Sequence, residues 1–288
     1  MTPEAILTLF EKNGDRLSAR NLATAVHRIA KHGGRRVMWD PRLERLLEMC
    51  GRRIGEFKPQ EIANSAWGCA KAGFTNQPLF KAVAAEVPRR IREFNAQEMA
   101  NTVWAFACVG WEQHQIFREF GSSIVTRLDD FNEVERSQLY LVALFMQVQW
   151  PARDCPLSPS LQSFRSAYTS CMASPTQLQC DVSTMLRQMG WNHSFKHETA
   201  EGFSLDLAQP ESKLAVEVDG PSHFLKNLPS EENVVNGATI FKTRQLRSFG
   251  WTVAHISFFD WDNKSESERR KLVIAKLGEL GVPVEDAS

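Results

Sequence analysis

The densest concentration of reactive side chains lies between Phe203 and His223, in the run FSLDLAQPESKLAVEVDGPSH. Side chains alternate faces along a strand, so in LAVEVD the residues Ala215, Glu217 and Asp219 share one face, and Leu214, Val216 and Val218 the other. If Gln209-Pro210-Glu211-Ser212 is a simple hairpin turn, Ala208 pairs with Lys213 and Asp206 lies opposite Ala215. Asp206, Glu217 and Asp219 then converge on one side of a β-ribbon whose other side is apolar. Carboxylates crowded on one face repel each other. A hard cation such as Mg2+, which takes oxygen ligands and can hold a scissile phosphate, is one way to offset that repulsion. Gly220 and Pro221 set a sharp exit that returns His223 toward the acids, where an imidazole could shuttle a proton. Lys242 shares a helix face with Leu246 and Phe249 and could neutralise the cluster or a phosphate. The plainer reading of the same residues is a solvated edge ribbon and a surface lysine.

The elements that must position these groups follow from punctuation and period. A helix is predicted from Ser174-Pro175 to about Met189, closed by Gly190. Strands are predicted over Gly202–Ala208 and Lys213–Asp219, then a helix over Ala238–Phe249 stopped by Gly250. A strand over Trp251–Ser257 and an amphipathic helix over Ser265–Leu280 complete an α/β or α+β domain.

The first half repeats itself. Phe57, Phe94 and Phe131 are spaced by 37 residues, and FKPQEIANSAWGCAKAGF aligns with FNAQEMANTVWAFACVGW. A looser copy begins at Leu17, and FNEVERSQLYLVALFMQ lacks the Trp. Ile62, Ala63, Ala66, Trp67 and Ala70 form one apolar helical face, ended by Gly73, and Leu79, Val83, Val87 and Ile91 mark a second helix. Paired helices at this period indicate an α-solenoid. The expected organisation is helical repeats over 1–148, a proline-rich linker with a short helix over 149–173, and the α/β domain over 174–288.

Basic residues recur with the repeat. Arg52-Arg53 and Arg89-Arg90 are equivalent, Arg127 follows Arg90, and Arg35, Arg36 and Arg92 add to the same side. Such a stripe could track a phosphate backbone, or serve the C-terminal ends of the second helices. The repeated Asn64/Asn101 and Gln60/Gln97 could read base edges, although a hydrogen bond between adjacent units is the preferred account. Trp67, Trp104, Trp251 and Trp261 read as core.

Composition limits the function classes. The formal charge of zero hides a basic first third, with 17 Lys or Arg against 10 Asp or Glu over residues 1–93. No apolar stretch approaches the ~20 residues that a membrane helix needs. Six cysteines without metal-type spacing read as buried thiols rather than a zinc site. Glu4, Glu11 and Asp15 make the amino terminus unlike an Arg-rich organelle presequence, so the expectation is a protein that stays where it is made or a start assigned too late.

LAVEVDGPSHF followed by NGATIFKTRQLRSFGWTVAHISFFDWDN resembles the RAP domain, itself similar to the very-short-patch-repair-like branch of the PD-(D/E)xK nucleases. The likeness covers roughly residues 198–277 of this sequence. It implies a restriction-endonuclease-like fold, with Asp206, Glu217, Asp219 and His223 at the nuclease-type positions. One departure is that Asp219 stands where the nuclease pattern has lysine, and the resemblance implies Lys242 on the helix as the substitute charge. The first half is similar to the octotricopeptide-like and FAST-kinase-like repeats that precede RAP domains, and no kinase motif accompanies it. The resemblance implies an RNA-binding protein of mitochondrial or plastid RNA metabolism, acting in transcript processing, stability or rRNA maturation. Arg35, Arg36, Arg52, Arg53, Arg89, Arg90, Arg127, Lys242 and Arg244 are its expected RNA contacts, and ribonucleoprotein components are further partners. Two alternatives stay open: a Mg2+-dependent endoribonuclease using Asp206, Glu217 and Asp219, and a protein-interaction scaffold.

Overall fold

The computed structural model describes residues 1–33, 37, 39–151, 153, 155–170, 174–225 and 233–283 of the 288-residue chain. The chain divides into two compact units, Met1–Tyr168 with Leu225–Phe241, and Thr169–Phe224 with Lys242–Ser288. The expected linker over 149–173 therefore falls mostly within the first unit. That unit also takes in a segment expected to lie wholly in the C-terminal domain.

In the first unit the helices run α1 (Pro3–Asn13), α2 (Ala19–His32), α3 (Pro41–Arg52), α4 (Pro59–Lys71), α5 (Gln77–Arg90), α6 (Ala96–Cys108), α7 (His114–Val125), α8 (Glu133–Gln149) and α9 (Leu161–Thr169). α2, α4, α6 and α8 pack in succession as one row, and α1, α3, α5 and α7 as the other. This is the solenoid arrangement, in which each helical pair buries its apolar face against its neighbours. A repeated Phe-x-x-x-Glu motif, with Asn after Phe94 and Phe131, marks these junctions. Phe94 and Phe131 are buried. Asn95 and Asn132 cap the next helix by accepting from the amides of Glu98 and Glu135, whose carboxylates accept in return from the asparagine amides. Phe57 is buried in the same way, with Glu61 accepting from the Lys58 amide.

The second unit contains α10 (Gln177–Gln188), β1 (Ser194–Glu198), β2 (Ser204–Gln209), β3 (Leu214–Asp219), the latter part of α11 (Gly237–Ser248), β4 (Thr252–Ser257), the short α12 (Phe258–Trp261) and α13 (Glu266–Glu279). Its sheet has the order β1-β2-β3-β4. The first two pairings are antiparallel, and β3 pairs with β4 in parallel. Thr176, not Ser174, caps α10, so Pro175 precedes the cap. The edge strand β1 is not among the predicted elements, because five residues with mixed exposure carry no apolar alternation. Leu207, Val216, Val218, Ala254 and Ile256 form one face of the sheet, packed with Val182 and Leu186 of α10 and Val273 and Leu277 of α13.

Among the described residues no helix is long and apolar enough to cross a membrane. Cys50, Cys69 and Cys108 are buried thiols, but Cys180 is exposed. Cys171 lies outside the described residues.

Candidate functional site

The polar side of the sheet is built from groups that the chain cannot hydrate. Asp206, Glu217 and Asp219 are 8%, 3% and 2% exposed, so each carboxylate needs its own compensation. The β2–β3 pairing runs Leu207↔Val216, Ala208↔Ala215 and Gln209↔Leu214. This is two residues away from the register expected from a turn over 209–212, since the turn lies one residue later, over 210–213. A shift of two preserves facing but changes partners. Continued by one step, the register sets Asp206 across from Glu217 instead of Ala215.

At that step the ladder gives way to side chains. The Asp206 amide donates to Glu217 Oε1 at 3.4 Å, and the Val218 amide donates to Asp206 Oδ2 at 2.9 Å. Asp206 Oδ1 accepts from Gln179 Nε2 of α10 at 2.8 Å and from Lys196 Nζ of β1 at 2.7 Å. Gln179 is itself held by the capping box at the start of α10, its Oε1 accepting from the Thr176 amide. Glu217 Oε2 lies 2.6 Å from Lys242 Nζ of α11, and that ammonium also donates to the Ser204 carbonyl. Asp219 takes two imidazoles: His223 Nδ1 at 3.0 Å from Oδ1, and His255 Nδ1 at 2.7 Å from Oδ2. The remaining His255 nitrogen lies 3.0 Å from the Thr243 hydroxyl on α11. Burial would raise the Asp219 carboxyl, but the hydrogen bonds from His223 and His255 outweigh it and hold the group at about 2.

Each of the three acids has its own partners. Asp206 is engaged from α10 and β1, Glu217 from α11, and Asp219 from the Pro221–His223 turn and β4. Among the described residues no group of three or more His, Cys, Asp or Glu side chains is gathered to hold a metal ion. Lys196 Nζ takes Asp206 Oδ1, and Lys242 Nζ takes Glu217 Oε2.

Three partners escaped the reading of the sequence. His255 was legible in principle, since Val253, His255 and Ser257 alternate with the apolar Ala254 and Ile256. Lys196 sits at φ 53° in a strand too short to recognise, and Gln179 is indistinguishable from any helix-capping glutamine.

The recurring arginines also acquire a structural role. Arg53, Arg90 and Arg127 each donate to the carbonyl that begins their own helical pair: Leu17 at 2.8 Å, Phe57 at 2.8 Å and Phe94 at 2.7 Å. Each also pairs with an acid three residues on, Glu56, Glu93 or Asp130. They are braces between the start and end of a unit, so the expected stripe of phosphate contacts is not made of their guanidinium groups alone. Arg52 and Arg89 are the exposed members, with side-chain exposures of 75% and 77%, and pair within their helices with Glu48 and Glu86. Thr126 takes their place in the next unit. Arg244 is half-buried on α11, and Arg35 and Arg36 lie outside the described residues. Asn101 Oδ1 accepts from Gln138 Nε2 at 3.2 Å, a hydrogen bond between successive units, whereas Gln60 and Gln97 are exposed.

Residues 216–277 match the family model described as RAP domain. The chain carries a RAP domain. The matched RAP segment contains Glu217, Asp219, His223, Lys242 and His255, while Asp206, Lys196 and Gln179 lie ahead of it. Residues 43–65 and 76–103, in the helical pairs, match a family described as Protein of unknown function (DUF1601). A curated relative from Oryza sativa subsp. japonica, "RAP domain-containing protein, chloroplastic", is 30% identical over 155 residues. The alignment covers 49% of this chain and 22% of the relative, so the chain spans well under half of that protein's length.

Proposed function

We propose that this protein binds RNA in an organelle, through its helical units and its RAP domain, and that it acts in transcript processing, stability or rRNA maturation. The observation that carries the reading is a RAP domain in the same chain as an array of paired helices. The chloroplastic name of the rice relative favours a plastid over a mitochondrion. Ribonucleoprotein components are further partners under this proposal.

The proposed role is binding rather than metal-dependent cleavage. In support, Lys196 and Lys242 pair with Asp206 and Glu217, and the imidazoles of His223 and His255 approach Asp219. The fold then serves as a rigid platform whose polar interior is spent on its own stability. Single-stranded and hairpin RNAs titrated into the full chain at two salt concentrations test the proposal. Binding that weakens with salt is expected, and affinity no greater than that of a neutral control protein would end it. An arm with added Mg2+ tests the nuclease reading: cleavage that Asp206→Ala abolishes without loss of binding would replace the binding-only account.

A further inference from the structure

The position ten residues into each helical pair is occupied in turn by His27, Trp67, Trp104 and Leu141. The two tryptophans are equivalent in sequence but not in environment. Trp104 is 5% exposed and meets the Phe241 ring edge-on at 6.3 Å. Trp67, expected to be core, is only half-buried, and its ring lies near-parallel to His27, with centroids 6.0 Å apart at an interplanar angle of 24°. Gly68 lies close against the same helix, since a methyl group there would stand 3.3 Å from Ala30 Cβ and 3.5 Å from His27 Cα.

At Trp67 part of an indole stays accessible beside an imidazole whose Nδ1 is buried with no hydrogen-bond partner. Burial, followed by the charges of Lys31, His32 and Arg28, lowers the His27 pKa and keeps the ring neutral near pH 7. Positive charge surrounds the pair. Arg28 and Lys31 are exposed on α2, and the half-buried Lys71 lies one turn beyond Trp67 on the same face of α4. A partly accessible indole bordered by cations suits a nucleotide of an unpaired strand, since every base has a stackable face and every linkage a phosphate.

We infer that Trp67 and His27 form a stacking platform for one base of a single-stranded RNA, with Arg28, Lys31 and Lys71 holding the flanking phosphates. This site rests on the RNA-binding function proposed above and deepens it. The two arms of recognition differ physically. Stacking is insensitive to salt, whereas each lysine or arginine on a phosphate adds to the salt dependence.

The test measures binding of a fluorescein-labelled, mixed-sequence twelve-nucleotide single-stranded RNA to the full chain and to Trp67→Ala, Trp67→Phe and Lys71→Gln variants, each first checked by thermal melting. Trp67→Ala should weaken binding by about ten-fold or more with an unchanged salt slope, and Trp67→Phe should retain most of the affinity. Lys71→Gln should lower the salt slope by roughly 0.7. If the parent chain binds and Trp67→Ala binds equally well, the platform is wrong while the RNA function stands. If Trp67→Phe loses as much as Trp67→Ala, the effect is one of packing and the platform is again wrong. A parent chain with no affinity for any RNA removes both proposals together.

Discussion

His255 stands level with Glu217 in the parallel register of β3 and β4, yet its imidazole goes to Asp219, 2.7 Å away, while Lys242 of the crossover helix holds Glu217 at 2.6 Å. The sheet face is therefore a set of acids with different partners. Their consequences are local and measurable.

The Asp219 carboxyl sits at about 2 in the fold, against an ordinary aspartate value of 3.8. Between those values the unfolded chain binds a proton that the folded chain does not. This stabilisation is complete above pH ~4 and is lost as the pH falls toward ~2. It amounts to roughly 2 kcal/mol. Urea midpoints of the parent and Asp219→Asn, taken from pH 7 down to pH 2, should differ most at neutral pH and converge in acid. Parallel curves across the whole range would refute it.

Removing Lys242 leaves Glu217 charged and buried. Lys242→Met should cost about 3 kcal/mol, because breaking a buried pair strands one charge. Adding Glu217→Gln should recover part of that loss. A double-mutant cycle by urea denaturation checks it, with a coupling of at least ~1 kcal/mol expected. A coupling near zero would mean that the contact contributes nothing.

Neighbouring arginines should part ways. Arg90→Ala loses the bond to the Phe57 carbonyl as well as its bridge to Glu93, at a cost of roughly 1.5 kcal/mol. Arg89→Ala should stay within ~0.5 kcal/mol of the parent, since its bridge to Glu86 at 3.7 Å is exposed on the arginine side. Under the proposed function, Arg89→Ala alone should lower the salt slope of RNA binding without altering the melt. Equal stability losses in the two variants would contradict the brace.

Gly237 and Gly55 offer a paired test of close approach. A methyl group at Gly237 would overlap the Ala70 carbonyl oxygen, whereas one at Gly55 meets nothing within 4 Å. Gly237→Ala should cost about 2–3 kcal/mol by overpacking, and Gly55→Ala should be neutral to within ~1 kcal/mol. Thermal melts of the two variants decide it, and a stable Gly237→Ala would show that the segment can shift.

Much of the architecture is legible without coordinates. The 37-residue spacing of Phe57, Phe94 and Phe131, followed by Lys-x-x-Glu in the first case and Asn-x-x-Glu in the other two, specifies paired helices, because a buried ring and a cap are short-range features. Alternation in LAVEVD likewise indicates an acidic and an apolar side of β3. The role of the repeated arginine was not legible, since its acceptor is a backbone carbonyl 33 residues earlier for Arg90 and Arg127, and a carbonyl leaves no mark in a sequence. Nor was the difference between Trp67 and Trp104, which depends on the ring of Phe241 arriving from far along the chain.

By itself, then, the sequence determined the period, the strand parity and the identity of the acids, all of which are local properties of φ/ψ preference and side-chain spacing. Only the tertiary structure decided which donor meets which acid. A two-residue change of register leaves every side chain on its face while replacing the residue opposite Asp206. Gln179, Lys196, Lys242 and His255 come from four different elements whose order of packing no local pattern encodes.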